Sequence, residues 1–166
     1  MNESYPFPWQ FDPKRYGEHY LMSSLPEARV QADIVEMLQR YRVDVMAIDA
    51  GGLRQRGRMM AAAAAAGVDL GGVQHARTGS AIAKGFADLE ATLAPLGRAL
   101  YIEVKAPAWI NVDHKITRQA GKPSQEQLDF LLAKYDRGAL VLVAWSSLDV
   151  ENYLRAELEI NRRALR

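Results

Sequence analysis

The segment of residues 99–105 constrains the fold of this chain more than any other feature, because it is apolar and yet carries two opposite charges. Its sequence, Ala-Leu-Tyr-Ile-Glu-Val-Lys, predicts a β-strand with charges at Glu103 and Lys105. The two charged side chains share a face, because residues two apart on a strand point the same way. Charged groups are seldom buried without partners. The segment therefore predicts a further polar group beside this pair.

A neighbouring strand supplies that group. Residues 85–93 predict a strand, and a turn centred on residues 95–96 joins it to the first one. Asp88 and Glu103 are equidistant from the centre of the turn, so we expect them to lie opposite each other across a hairpin. Two carboxylates and the Lys105 ammonium then converge on one side of a sheet. Such a cluster can hold a divalent metal ion and polarise a phosphate; the alternative is a structural cross-strand ion pair.

Composition restricts the class of protein. The 166 residues are 49% hydrophobic and 25% charged, which is ordinary for a single soluble domain with a sizeable core. No stretch approaches the ~20 apolar residues that span a bilayer, and the N-terminus lacks the layout of a signal peptide. The absence of cysteine excludes thiolate metal sites and fits a cytoplasmic location. The net charge of +1 is low for a nucleic-acid-binding domain, so contact with DNA would depend on local basic clusters.

The remaining pattern predicts an irregular N-terminal arm over residues 1–22, one domain over 23–158 and a basic tail over 159–166. Within the domain the order α-β-(α)-β-β-α-β-α predicts a three-layer α/β protein. Besides the hairpin, its elements are a helix from Ser24 to about Tyr41, a strand over 43–48, an alanine-rich helix over 59–66, a helix opened by Ser124, an apolar strand over 139–144 and a helix from about Ser147. The stretches 71–84 and 106–123 read as irregular loops, and the arm is expected to dock through Trp9 and Phe11.

Glu27 has two interpretations. It lies on the apolar stripe that Ile34, Leu38 and Tyr41 form along the first helix, where a carboxylate is unusual and could belong to a site. It also stands three residues after Ser24, the spacing of a capping box. The spacing alone favours neither.

Gln127 faces the same choice at the start of a later helix. Ser124-Gln125-Glu126-Gln127 has the pattern of a capping box, and this interpretation is favoured by the motif. One side chain could nevertheless cap the helix and border a site at the same time.

Other candidate residues have weaker patterns. Arg54, Arg56 and Arg58 follow two glycines at alternate positions and could bind phosphates, although a solvated basic loop is as common. The three histidines lack the spacing of zinc ligands. A GxxxxGK[ST] phosphate loop and a GxSxG elbow are also missing, so nucleotide hydrolysis and serine-esterase chemistry are not expected.

Taken in order, these residues resemble the PD-(D/E)xK nuclease superfamily. Within it they resemble the VRR-NUC type of small phage or bacterial domain, of the endonuclease or Holliday-junction-resolvase-like kind. The resemblance covers most of residues 24–155. It depends on Glu27 with Gln31, Gly85-Phe86-Ala87-Asp88-Leu89, Ile102-Glu103-Val104-Lys105, Ser124-Gln125-Glu126-Gln127 and a helix opening Ser147-Leu148-Asp149-Val150. Alanine replaces the usual proline before Asp88.

The resemblance implies a restriction-endonuclease-like three-layer α/β/α fold around a mixed sheet of about four strands. It also implies a site for Mg²⁺ or Mn²⁺, with the carboxylates of Asp88 and Glu103 and the backbone carbonyl of Val104 as ligands. Lys105 would be the catalytic lysine. The expected activity is metal-dependent hydrolysis of DNA, structure-selective on branched or nicked substrates.

Further expectations come from the same resemblance. Glu27 would assist at the metal site and Gln127 would orient substrate or ligands. A homodimer is expected by analogy, because related domains pair to engage two strands. Two alternatives stay open: a catalytically silent DNA-binding or recombination accessory protein of the same fold, and an unrelated α/β protein whose charges form a structural network.

Overall fold

The computed structural model describes residues 5–16, 25–48 and 85–164, with 157–164 as helical backbone only. These ranges form a mixed α/β structure with three α-helices and a four-stranded mixed sheet. None of the helices in the described ranges is long and apolar enough to cross a membrane. The elements are α1 (Glu27–Arg40), β1 (Asp44–Ala47), β2 (Leu89–Leu93), β3 (Arg98–Val104), β4 (Trp109–Ile110), β5 (Ile116–Arg118), α2 (Gln125–Tyr135), β6 (Leu140–Ala144) and α3 (Ser147–Ala164).

The sheet has the strand order β1-β2-β3-β6, antiparallel at the first two pairings and parallel at the third. In the β2–β3 hairpin, Leu89 pairs with Ile102 and Leu93 pairs with Arg98. This is the register that the turn at residues 95–96 predicts, and one further step along it brings position 88 opposite position 103. The predicted hairpin is therefore confirmed.

Alternation along β3 and β6 divides the core into two clusters. The even-numbered residues of these strands pack with Val30, Ile34 and Leu38 of α1 and with Val150 of α3. The odd-numbered residues pack with α2 and with the N-terminal segment. Because both faces of β6 are covered, its five residues are all buried, as its continuously apolar sequence predicts.

The first helix departs from its prediction at both ends. It begins at Glu27 after Pro26, which has no side-chain capping bond, so Glu27 is the first helical residue and not the third, as the capping-box interpretation requires. Ser24 lies outside the described residues. Tyr41, expected on the inner stripe, is 59% exposed and donates a hydrogen bond to Glu151 at 3.1 Å. Its position just after the last helical residue moves it off the buried face.

The N-terminal segment packs against the α2 side of the sheet. It is irregular apart from a 3₁₀ turn at Pro13–Arg15. Phe7 and Tyr16 are its buried side chains, while Trp9 and Phe11 pack at the edge of the same cluster. The ring of Phe11 stacks on that of Tyr16 at 5.0 Å. Aromatic packing therefore docks the segment, and its deepest anchors are residues that the sequence did not single out.

One predicted loop was wrong, and the last helix extends into the segment predicted as a tail. The stretch 106–123, expected to be irregular, contains a small antiparallel sheet of β4 and β5. Helix α3 continues to Ala164, beyond the point where a basic tail was expected to begin. The segments predicted over 59–66 and 71–84 lie outside the described residues.

Ile102→Ala should destabilise the protein by about 2–5 kcal/mol, because it opens a cavity in the centre of the buried sheet. Leu96→Ala is the matched control, since Leu96 is 86% exposed at the hairpin turn. It should change the free energy of unfolding by less than about 0.5 kcal/mol. Urea denaturation measures both, and equal effects would contradict the buried position of β3.

Candidate active site

The structure brings Asp88, Glu103 and Lys105 together at one end of the β2–β3 hairpin. Glu103 is fully buried near the end of β3, and Lys105, one residue beyond the strand, is 8% exposed. The Lys105 ammonium contacts Oε1 of Glu103. A carboxylate oxygen of Asp88 accepts a hydrogen bond of 2.8 Å from the backbone amide of Val104. Asp88 is thus held opposite the Glu103 strand, as the register predicts.

Gln127 caps α2 and contacts Glu103 at the same time. Its backbone amide donates to Oγ of Ser124 at 3.3 Å, and its side-chain oxygen accepts from the Ser124 amide at 2.8 Å. This is the predicted capping box, which is confirmed. The other end of the Gln127 amide donates to Oε1 of Glu103. The cap therefore fixes the rotamer that reaches into the site.

Gly85 lets the first turn of α2 approach this end of the hairpin. It has φ of +88°, a conformation that side chains with a Cβ rarely adopt. A Cβ at this position would lie 2.4 Å from the backbone oxygen of Glu126. Glycine is required here on both counts, and the close approach places Gln127 beside Glu103.

Lys105 is packed by residues that the sequence did not identify. Gly121 lies so close that a Cβ there would be 3.3 Å from Cβ of Lys105. The Gly121 amide donates to the Ala106 carbonyl at 2.8 Å, and its own carbonyl accepts from the indole nitrogen of Trp145 at 2.8 Å. The Gly121-Lys122-Pro123 sequence was the only signal, because glycine and proline together mark a turn without saying what packs on it.

The electrostatics of the cluster centre on Glu103. Burial, and then the neighbouring Asp88, raise the pKa of Glu103 from 4.5 to about 8, with Lys105 acting in the opposite direction. Its Oε1 contacts two donors, whereas no donor among the described residues reaches its buried Oε2. A side-chain hydrogen bond between the carboxyl groups of Glu103 and Asp88 adds to the raised pKa, because only the protonated form of Glu103 can donate it. A buried acceptor without a partner is unfavourable and uncommon in native structures. When Glu103 is ionised, this oxygen is therefore free to accept from a cationic ligand.

Glu27, the other described candidate, lies on a different element. Glu27 is exposed at the start of α1, the helix that packs on the opposite face of the sheet. In the described ranges, no group of three or more His, Cys, Asp or Glu side chains could hold a metal ion. Arg54, Arg56 and Arg58 lie outside the described residues.

Comparisons of the chain with known protein families, with curated proteins and with solved structures found no match. Any function must therefore be inferred from the residues of the site.

Because the pKa of Glu103 is raised on folding, the native state binds a proton that the unfolded chain has already lost between pH 4.5 and about 8. The free energy of unfolding of the metal-free protein should fall as pH rises through this window. Glu103→Gln removes the titrating group, so the stability of this variant relative to wild type should increase by a few kcal/mol across the window and level off above it. Urea denaturation in EDTA at a series of pH values measures this difference.

Glu36→Gln is the control for that series, because Glu36 is exposed and pairs only with Arg40 on its own helix. Its stability relative to wild type should change little with pH over the same window. A Glu103→Gln difference that is equally flat would show that Glu103 does not carry a raised pKa.

Proposed function

We propose that this chain is a metal-dependent nuclease of the PD-(D/E)xK kind that hydrolyses phosphodiester bonds in DNA. The observation that carries the proposal is the Glu103 carboxylate. It is fully buried, lies next to Asp88 and has one oxygen that no donor in the described part of the chain reaches. A site of this kind gains most from a bound cation, because a cation both lowers the pKa of the carboxyl group and satisfies the free oxygen.

The donor atoms fit Mg²⁺ or Mn²⁺. Both ions prefer oxygen ligands and are bound by few carboxylates, with water completing their coordination. Asp88 and Glu103 would supply the carboxylates. The backbone carbonyl of Val104 would be the third ligand, because an extended residue directs its N–H and C=O to the same side, and the N–H of Val104 faces Asp88. This proposed set needs only two acidic side chains, because a backbone carbonyl supplies the third ligand. It is therefore compatible with described ranges in which no group of three acidic, histidine or cysteine side chains could hold a metal ion.

The remaining residues have roles that follow from their contacts. The bound ion would supply a Lewis acid for the phosphate and lower the pKa of a water molecule. Lys105, held against Glu103 and packed by Gly121, adds positive charge where the transition state becomes more negative and orients the attacking water. Gln127 holds Glu103 in one rotamer through its amide. Asp88 is kept in place by the Val104 amide.

The packing of the sheet supports the finer fold assignment. Helices α1 and α3 contribute to one cluster of the core and α2 to the other. We therefore propose a three-layer α/β/α arrangement of the restriction-endonuclease kind. In it, the site lies where the end of β3 meets the first turn of α2. Glu27 stands at the N-terminal end of α1, and an assisting role for it remains part of the proposal.

A purely structural network is the main alternative, and two features argue against it. In a buried ion pair, the attraction between the charges offsets the free energy of desolvation only if hydrogen bonds also satisfy the remaining lone pairs. In ionised Glu103, one carboxylate oxygen accepts from no donor among residues 5–16, 25–48 and 85–164. A structural role would also be served by an uncharged pair. Here a second carboxylate, that of Asp88, lies beside Glu103 and raises the cost of ionising it.

Purified protein should cleave labelled DNA in Mg²⁺ or Mn²⁺ and not in EDTA. Asp88→Ala should lower the cleavage rate at least about 10²-fold, the size of effect expected when one group that stabilises the transition state is lost. Lys105→Met should do the same, because it keeps the length of the side chain and removes only its charge. Gel analysis of continuous, nicked and four-way-junction duplexes measures the rates.

Asp136→Ala serves as the control, since Asp136 is exposed at the far end of α2 and should leave cleavage unchanged. Thermal unfolding of every variant establishes that it is folded. Cleavage by Asp88→Ala at the wild-type rate would refute the assignment. Metal-independent binding of DNA without cleavage would favour the silent accessory protein.

A further inference from the structure

The β4–β5 hairpin is a short segment whose first and last residues both lie beside Lys105. The chain leaves β3 at Lys105, forms the hairpin and returns at Gly121, which packs on the stem of Lys105 and donates to the Ala106 carbonyl. The indole nitrogen of Trp145 donates a hydrogen bond to the Gly121 carbonyl and so holds the returning end in place. The hairpin therefore extends from the proposed catalytic lysine itself.

The tip of the hairpin is a hydrogen-bonded turn built on Asn111. The Asn111 side-chain oxygen accepts from the backbone amides of Asp113 at 3.1 Å and Lys115 at 2.9 Å. Its backbone amide donates to the Lys115 carbonyl at 3.0 Å, and its carbonyl accepts from His114 at 2.9 Å. Val112 stands within this turn and is 77% exposed. An apolar side chain is thus exposed to solvent on a turn that several hydrogen bonds of Asn111 hold in place.

The surface of the hairpin is apolar and basic together. Eight large hydrophobic side chains are exposed in the described part of the chain, and three of them, Trp109, Val112 and Ile116, lie here within eight positions. Exposed cations accompany them at Lys115, Arg118 and Lys122, against a single acidic residue, Asp113. Single exposed hydrophobic residues are normal, but three of them on one short hairpin that also carries three cations favour a binding surface.

We propose that the β4–β5 hairpin is a DNA-binding arm that directs the proposed nuclease to discontinuous duplexes, with Lys115 and Lys122 on phosphates and Val112 against an exposed base step. The occupant follows from charge and position. Lys122 directly follows Gly121, which packs on Lys105, and Lys115 lies on the hairpin that begins there. Phosphates of a substrate bound at the site are therefore the natural partners of these cations. The inference rests on the proposed nuclease function and names the part of the chain that chooses its substrate.

The preference for discontinuity follows from the energy of insertion. Apolar wedges that enter DNA must unstack a base step, which costs a few kcal/mol in a continuous duplex. Burying one valine side chain gains a comparable amount at most. The tip alone therefore cannot open an intact duplex, whereas at a nick or a branch the stacking is already weakened and the gain exceeds the cost. Lysine contacts with phosphate do not distinguish the two substrates.

The test measures binding and cleavage separately on nicked and continuous duplexes of one sequence. Fluorescence anisotropy in EDTA gives the affinity, and cleavage in Mn²⁺ gives the rate at saturating DNA. Val112→Ser should lower the ratio of nicked to continuous affinity about tenfold, the equivalent of one buried valine contact. Lys115→Gln with Lys122→Gln should weaken binding to both duplexes and reduce the slope of log affinity against log salt by about two.

Matched controls are Leu96→Ser, for an exposed apolar residue at another hairpin turn, and Arg137→Gln, for an exposed cation beyond the far end of α2. If wild type cleaves DNA and the hairpin variants bind and cleave as these controls do, the proposed DNA-binding arm is wrong and the proposed nuclease activity stands. Wild-type protein that neither binds nor cleaves DNA would overturn both. If wild type binds DNA without cleaving it and the hairpin variants weaken that binding, the hairpin is a DNA-binding arm but the proposed nuclease activity is wrong.

Discussion

The pairing register of β2 and β3 is the constraint on which the site depends. It places position 88 opposite position 103, so that the Val104 amide can hold the Asp88 carboxylate. A slip by one residue would turn Glu103 and Lys105 to the other face of the sheet, where α1 and α3 pack. The apolar residues of β3 that now face those helices would turn to the α2 side. The same alternation that builds the core therefore also builds the charged cluster, and neither can change without the other.

Burial of Glu103 is the feature with the largest energetic consequence. The strand removes the carboxyl group from water, and Asp88 adds a second negative charge, so the carboxyl is protonated more readily than an ordinary glutamate. Lys105 and Gln127 both contact Oε1, and none of the donors that the structure describes reaches Oε2. A chain that required only stability would be served as well by an apolar residue at this position. The cost is understandable if a cation is bound there during function, since the ion removes both penalties at once.

Much of this arrangement could be predicted from the sequence, because it depends on local periodicity. The distances of Asp88 and Glu103 from the turn fixed the hairpin register, and the Ser124–Gln127 motif identified the cap of α2. The contact of Gln127 with Glu103 was only a possibility, since it depends on how α2 packs on the sheet, which Gly85 decides through a close backbone approach. The β4–β5 hairpin was missed because its strands have two and three residues, too few to show a period. Tyr41 was misplaced because the apolar stripe continues in sequence beyond the end of the helix.

We propose that the buried Glu103 carboxylate completes a binding site for a divalent cation, and calorimetric titration with Mn²⁺ tests for that site without reference to catalysis. The titration is made above the pKa of Glu103 (about 8), where the carboxylate is ionised. Wild type should bind a single Mn²⁺ per chain, Asp136→Ala should bind it equally, and Glu103→Gln should lose the binding because an amide cannot replace the charged ligand. Absence of binding to wild type, or undiminished binding to Glu103→Gln, would contradict the account.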